Sequence, residues 1–119
     1  MTPTQPEIDS LVERARAAQQ RYEATGSQRC FDKAAAAAAW ALMEPSRNAE
    51  LAAFAVAETG LGNVADKITK NHRKTLGLLR DIRGQKSFGL VDDNPVTGVS
   101  EFFRPKGVVA AIVPSTNPL

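Results

Sequence analysis

Apolar side chains recur at Ile8, Leu11, Val12, Ala15, Ala18 and Tyr22. These offsets match the 3.6-residue period and predict a helix from Pro6 to about Ala24. Pro6 suits its first turn, where no N–H is needed, and Thr25-Gly26-Ser27 breaks it. A second helix is expected from about Gln28 to Glu44, stopping at Pro45. Its centre is six consecutive alanines, Ala34 to Ala39, the best helix former and the smallest one. Trp40 and Leu42 then read as core anchors. A third helix spans Ser46 to Thr59, with Leu51, Phe54, Ala55 and Glu58 at helical spacing. Ser46 is its expected cap, ahead of Asn48. Gly60 fits the residue after its end, and Leu61 the apolar contact of a Schellman ending. Asn63 caps a fourth helix, with Asp66 three residues on completing a weak capping box. Val64, Ile68, Leu76, Leu79 and Ile82 form its expected buried stripe.

From Lys86 the pattern changes. Ser87 to Val91 and Val96 to Phe103 are rich in strand formers and flank the turn residues Asp92-Asp93-Asn94-Pro95, which reads as a β-hairpin. After the bend at Arg104-Pro105-Lys106-Gly107, Val108 to Val113 is apolar at every position. A run that is apolar on both faces, bounded by Gly107 and Pro114, predicts a parallel strand covered on both sides. Parallel neighbours require crossovers of a dozen or more residues. The expectation is therefore the front end of a larger α/β protein.

The chain has 119 residues, of which 43% are apolar, 24% charged and 6% aromatic, an ordinary globular composition. Its longest apolar stretch, Ala34 to Met43, is ten residues, too short to span a bilayer. One cysteine excludes a disulfide framework, one histidine excludes a histidine metal cluster, and no metal site is expected. The start, MTPTQPEID, lacks the basic and apolar regions of a secretory signal, so a cytoplasmic location is expected. A net charge of +2 implies neither a nucleic-acid nor a membrane partner. The charge is uneven, however, with seven basic and two acidic residues between Asn63 and Lys86.

Gly60-Leu61-Gly62-Asn63-Val64-Ala65 matches the dinucleotide fingerprint, but that motif works after a strand and here follows a predicted helix. It reads as a helix–helix corner. Cys30 has only Arg29 as a basic sequence neighbour, and reads as structural rather than nucleophilic. The basic stripe Lys67, Lys70, His72, Arg73, Lys74, Arg80 and Arg83 has no interleaved aromatics and contains Asp66 and Asp81, which favours a solvated face or a contact with another part of a larger protein over a phosphate or RNA site. The best candidate lies past the apolar run. In open α/β sheets ligands collect at the carboxyl ends of strands, where Ser115, Thr116 and Asn117 offer hydroxyls, an amide and backbone N–H groups. Asn117 and Pro118 there suit the start of another helix.

The stretch Gly107-Val-Val-Ala-Ala-Ile-Val-Pro-Ser-Thr-Asn-Pro resembles the first cofactor-domain strand of the aldehyde dehydrogenase superfamily, in its CoA-acylating branch. Glu58-Thr-Gly-Leu-Gly-Asn-Val-Ala-Asp-Lys and Lys74-Thr-Leu-Gly-Leu-Leu-Arg-Asp are similar to acylating sulfoacetaldehyde dehydrogenases. The resemblance covers residues 8–119 and about the first quarter of such an enzyme. It implies an incomplete aldehyde dehydrogenase fold: N-terminal helices of the cofactor-binding domain over 1–84, a hairpin of the oligomerisation region over 85–106, and the first Rossmann-like strand over 107–119. It also implies NAD or NADP as cofactor, coenzyme A as co-substrate, a small aldehyde as substrate and a homo-oligomeric parent enzyme. Ile112, Val113, Pro114, Ser115, Thr116 and Asn117 would line the nicotinamide-ribose side of the cofactor site. The non-acylating branch has Pro-Trp-Asn-Phe-Pro here. Aligned without gaps, Thr116 stands at that Asn and Asn117 follows, so either is open as an oxyanion donor.

The family's nucleophilic cysteine lies far downstream, and Cys30 does not match its motif, so no catalytic residue is expected in this chain. The function expected is part of an acylating aldehyde dehydrogenase, with sulfoacetaldehyde or another short aldehyde such as acetaldehyde as substrate. The alternative is a non-enzymatic helical module that binds a partner through the basic helix 63–84.

Overall fold

The computed structural model describes residues 4–118. In chain order its elements are α1 (Gln5–Ala24), α2 (Gln28–Met43), α3 (Pro45–Thr59), α4 (Val64–Ile82), β1 (Gly89–Asn94) and β2 (Val99–Phe103). They fall into two compact units, Met1–Phe31 with Lys86–Ala111, and Asp32–Gln85 with Ile112–Leu119.

In the first unit, the Glu7 carboxylate accepts the Thr4 backbone N–H at 2.7 Å and the Thr4 hydroxyl at 2.8 Å. A helix start leaves N–H groups without carbonyl partners, so a carboxylate is welcome there. The Thr4 backbone N–H, helped by its hydroxyl, holds Glu7 below the usual glutamate range. No residue of α1 is buried, and Ile8 and Leu11 lie exposed on its expected core face. Order in this unit comes instead from aromatic stacking. Phe31, 9% exposed, meets Tyr22 edge-on at 4.7 Å and Phe88 at 5.2 Å. Beside it, Gln28 Oε1 accepts the Ser87 N–H at 2.8 Å and Gln28 Nε2 donates to Ser87 Oγ at 2.9 Å.

β1 and β2 pair antiparallel, from Gly89 opposite Phe103 to Asn94 opposite Val99. A bulge between Leu90 and Asp92 leaves Val91 as the extra residue, and Lys86 Nζ donates to the carbonyls of both Leu90 and Val91. The turn lies later than expected, at residues 95–98. Asn94 Oδ1 accepts the N–H groups of Val96 and Thr97, and Gly98 closes the loop onto the Asn94 carbonyl. Gly98 sits at φ +69°, where a Cβ would strain the backbone. Asp92 and Asp93 are therefore strand residues, and the Ser100 hydroxyl donates to Asp93 across the ladder.

In the second unit α3 packs on α4. The buried side chains on α3 are Asn48, Ala52 and Ala55, and on α4 Lys67 and Asn71. Ala52 is wholly buried. The alanines on the α3 side of this seam let α4 approach, and the large apolar residues of α3 fall on other faces. Of the two expected core anchors, Trp40 is 59% exposed and Leu42 half-buried, and Phe54, on the expected face of α3, is 63% exposed. Val64, Leu76 and Ile82 of the expected α4 stripe are exposed too, while Ile68 and Leu79 are half-buried. Asn48 Nδ2 donates to the Ile68 carbonyl at 3.0 Å, and Asn71 Nδ2 donates to Asn48 Oδ1 at 3.0 Å.

The cap of α3 is Glu44 rather than Ser46. Its carboxylate accepts the Ser46 hydroxyl at 2.6 Å, the Arg47 N–H at 2.9 Å and the Ser46 N–H at 3.2 Å. At its other end α3 closes with Gly60 at φ +65°, its N–H on the Val56 carbonyl. The Leu61 N–H goes to Thr59 Oγ1, so the ending is the simpler αL form rather than a Schellman motif. Asn63 caps α4 by accepting the Asp66 N–H, as expected.

The Ser46 hydroxyl bond, followed by the Arg47 N–H, holds the Glu44 carboxyl below its ordinary value. A depressed folded-state pKa means stability that is present above the unfolded value and lost as pH falls through the folded one. Glu44→Gln is therefore expected to lower the urea midpoint at pH 7, and this deficit should shrink as the medium is acidified below the ordinary glutamate range. A deficit unchanged by acid would contradict the cap.

The expected strand over Val108–Val113 does not form: residues 104–113 carry neither helix nor strand. β1 and β2 pair with each other alone. A strand exists through its ladder, and apolar composition without a hydrogen-bonding neighbour does not make one. Ile112 is fully exposed and Val109 is 74% exposed. Among the described residues the architecture is four helices and a two-stranded antiparallel hairpin, without the Rossmann-like strand. Among the described residues, no helix is long and apolar enough to cross a membrane.

Candidate functional site

The candidate segment Ile112–Asn117 lies in the second unit. Ile112 and Val113 project into solvent. Pro114 to Asn117 then make a turn closed by the Asn117 N–H on the Pro114 carbonyl at 3.1 Å. Asn117 Oδ1 accepts from Lys70 Nζ of α4 at 3.2 Å, and Asn117 Nδ2 reaches Thr116 Oγ1 at 3.5 Å. The turn is thus held against α4 by an ammonium–carboxamide bond. A cavity of about 340 Å³ opens there, lined by Leu42, Lys70, Asn71, Lys74, Thr75 and Asn117. Ser115 and Thr116 lie exposed beside it. The helix expected after Asn117 lies outside the described residues.

The basic stripe is less uniform than a solvated face. Lys67 is buried, with its Cε close to Gly62, and Lys70 is half-buried on Asn117. Arg80 forms a 2.8 Å ion pair with Asp81, both strongly exposed. Exposed pairs of this kind contribute little to stability. His72, Arg73, Lys74 and Arg83 face solvent. Gly60 and Gly62 join α3 to α4, so the fingerprint-like sequence is a helix–helix corner as expected. Cys30 is half-buried in the first turn of α2, its N–H on Ser27 Oγ at 3.3 Å.

Comparison with known proteins adds what geometry does not. An acylating sulfoacetaldehyde dehydrogenase of Cupriavidus necator is 58% identical over 111 residues, 93% of this chain and 22% of the relative. A protein of the same description from Bilophila wadsworthia is 48% identical over 92 residues, 77% of this chain and 20% of the relative. The chain is homologous to the N-terminal part of the acylating aldehyde dehydrogenases. An acetylating succinate-semialdehyde dehydrogenase of Clostridium kluyveri is 36% identical over 113 residues, 94% of this chain and 24% of the relative. The chain thus spans about a fifth to a quarter of the lengths of these acylating dehydrogenases. No family model matches it, and no solved structure matches it.

Two features of this chain escape a reading by pattern: the Lys70–Asn117 bond and the buried Asn48–Asn71 pair. The first joins residues 47 positions apart and carries no local signal. The second does carry one. Asn71 stands three residues after Ile68 on the apolar stripe of α4, and a polar residue in that register needs a buried partner.

Proposed function

We propose that this chain forms the N-terminal part of a CoA-acylating, NAD(P)-dependent aldehyde dehydrogenase acting on sulfoacetaldehyde. The observation that carries the reading is the 58% identity over 111 residues with a relative described by that activity. In this reading Ile112, Val113, Pro114, Ser115, Thr116 and Asn117 bind the dinucleotide. Their chemistry fits it: exposed apolar Ile112 and Val113 suit a flat ring, and the hydroxyls of Ser115 and Thr116 with the Asn117 amide suit ribose oxygens. When bound, NAD(P) accepts the hydride that leaves the aldehyde carbon. Thr116 and Asn117 are the two candidates for donating to the carbonyl oxyanion, the Thr116 hydroxyl accepting from Asn117 Nδ2 and the Asn117 carboxamide oxygen accepting from Lys70. The nucleophile is assigned outside these residues, because Cys30 is half-buried in the first turn of α2 and does not match the family's cysteine motif. Residues 85–106 are assigned to self-association of the whole enzyme.

The rival reading as a partner-binding basic helix has weaker support. Lys67 is buried, Lys70 is engaged by Asn117 and Arg80 by Asp81, which divides the stripe. The test is a chimera in which this chain replaces the matching region of the Cupriavidus necator enzyme. It should form NAD(P)H from sulfoacetaldehyde only when coenzyme A is present, while the 119-residue chain alone forms none. A soluble chimera with no such activity would overturn the proposal.

A further inference from the structure

We infer that the cavity between α4, the end of α2 and the 114–117 turn is an oxyanion pocket that takes a sulfonate or phosphate group. Its walls are mostly apolar, from Leu42 and the carbon stems of its neighbours, but five of its six lining residues, Lys70, Asn71, Lys74, Thr75 and Asn117, carry a polar group. Two are cations and none is a carboxylate. Lys70 and Lys74 stand one turn apart on the same face of α4, where like charges repel. Among the described residues neither has a carboxylate within ion-pair distance. Asp66, one turn before Lys70, is turned instead to the helix start, accepting from Asn63 Nδ2 at 2.6 Å.

The remaining groups are arranged as donors. Lys70 gives one N–H to Asn117 Oδ1, which fixes the ammonium; Asn117 Nδ2 directs one N–H at Thr116 Oγ1 and keeps its second for an anion. Asn71 is held from behind by Asn48. Thr75 adds a half-buried hydroxyl. An anion with three equivalent oxygens satisfies two ammonium groups, an amide and a hydroxyl together, and relieves the Lys70–Lys74 repulsion. A volume of about 340 Å³ is at the small end for ligand sites and suits a head group with a short tail. The pocket itself follows from these side chains; the choice between a sulfonated aldehyde and a cofactor phosphate as its source rests on the dehydrogenase reading.

The test titrates the isotopically labelled chain with 2-hydroxyethanesulfonate, inorganic phosphate or acetate at constant ionic strength. The amide resonances of Lys70, Lys74, Thr75 and Asn117 are followed. Saturable shifts with sulfonate or phosphate at roughly tenfold lower concentration than acetate are expected, and Lys70→Met with Lys74→Met should abolish them. Preference for the sulfonate marks the substrate as the source, and preference for phosphate marks the cofactor. Equal, non-saturating responses to all three anions would overturn the pocket. In the chimera, Lys70→Met should raise KM for sulfoacetaldehyde or for NAD(P) by roughly tenfold, with kcat less affected. An active chimera whose KM values ignore this change would overturn the pocket and leave the dehydrogenase reading standing. Anion binding by the chain with an inactive soluble chimera would do the reverse.

Discussion

Phe31→Ala should disorder the hairpin while leaving the α3–α4 pair folded. Phe31 is the buried ring against which Tyr22 and Phe88 both stand edge-on, and α1 contributes no buried residue of its own. Truncating a core phenylalanine costs about 3–5 kcal/mol, part of it from the cavity left behind. A unit with so little other buried apolar surface has no reserve of that size. Hydrogen exchange reads each unit separately: amides of β1 and β2 should lose protection, and those of α3 and α4 should keep it. Phe31→Leu, which retains most of the volume, should cost about half as much or less. Hairpin amides as protected in Phe31→Ala as in the parent chain would show that the aromatic trio does not organise this unit.

Asn48→Ala should be the most damaging single change within the α3–α4 pair. It deletes the bond to the Ile68 carbonyl and strands Asn71 Nδ2, whose residue is 6% exposed and whose acceptor is Asn48. Leaving a buried donor unsatisfied costs about 1–3 kcal/mol. The diagnostic is non-additivity. Once Asn48 is alanine, replacing Asn71 with leucine removes the stranded donor and should recover part of the loss. A urea-melt double-mutant cycle should therefore show coupling of roughly 0.5–3 kcal/mol. Strictly additive losses would mean the two amides are not paired in solution.

The elements legible in the sequence were those written in local chemistry. The 3.6-residue spacing gave α1 and α4, Pro45 separated α2 from α3, and Gly60 and Asn63 marked the corner between α3 and α4. The hairpin was legible as two strands, but its turn was read three residues early because Asp92-Asp93-Asn94-Pro95 is rich in turn formers. What decided the matter was the Asn94 side chain bonding forward and Gly98 accepting a positive φ. The buried set was misread for a different reason. Hydrophobicity ranks Trp40 and Phe54 above Ala52 and Ala55, yet α3 meets α4 through its alanines and Asn48. The strand over Val108–Val113 failed because pairing is a property of neighbours, which composition does not supply. For the candidate segment, the type of chemistry at Ser115–Asn117 was legible, but its anchor Lys70 was not, since a contact spanning 47 positions leaves no trace in local pattern.

The alanine run of α2 has a consequence for how this chain should be assayed. Ala35 to Ala38 are exposed, so their helical state owes little to neighbours and nothing to side-chain ordering. Circular dichroism near 222 nm will keep reporting helix after the rings and amides have come apart. Near-ultraviolet signal from the aromatic rings, rather than helical ellipticity, is the faithful gauge of whether the polypeptide has assumed its native packing.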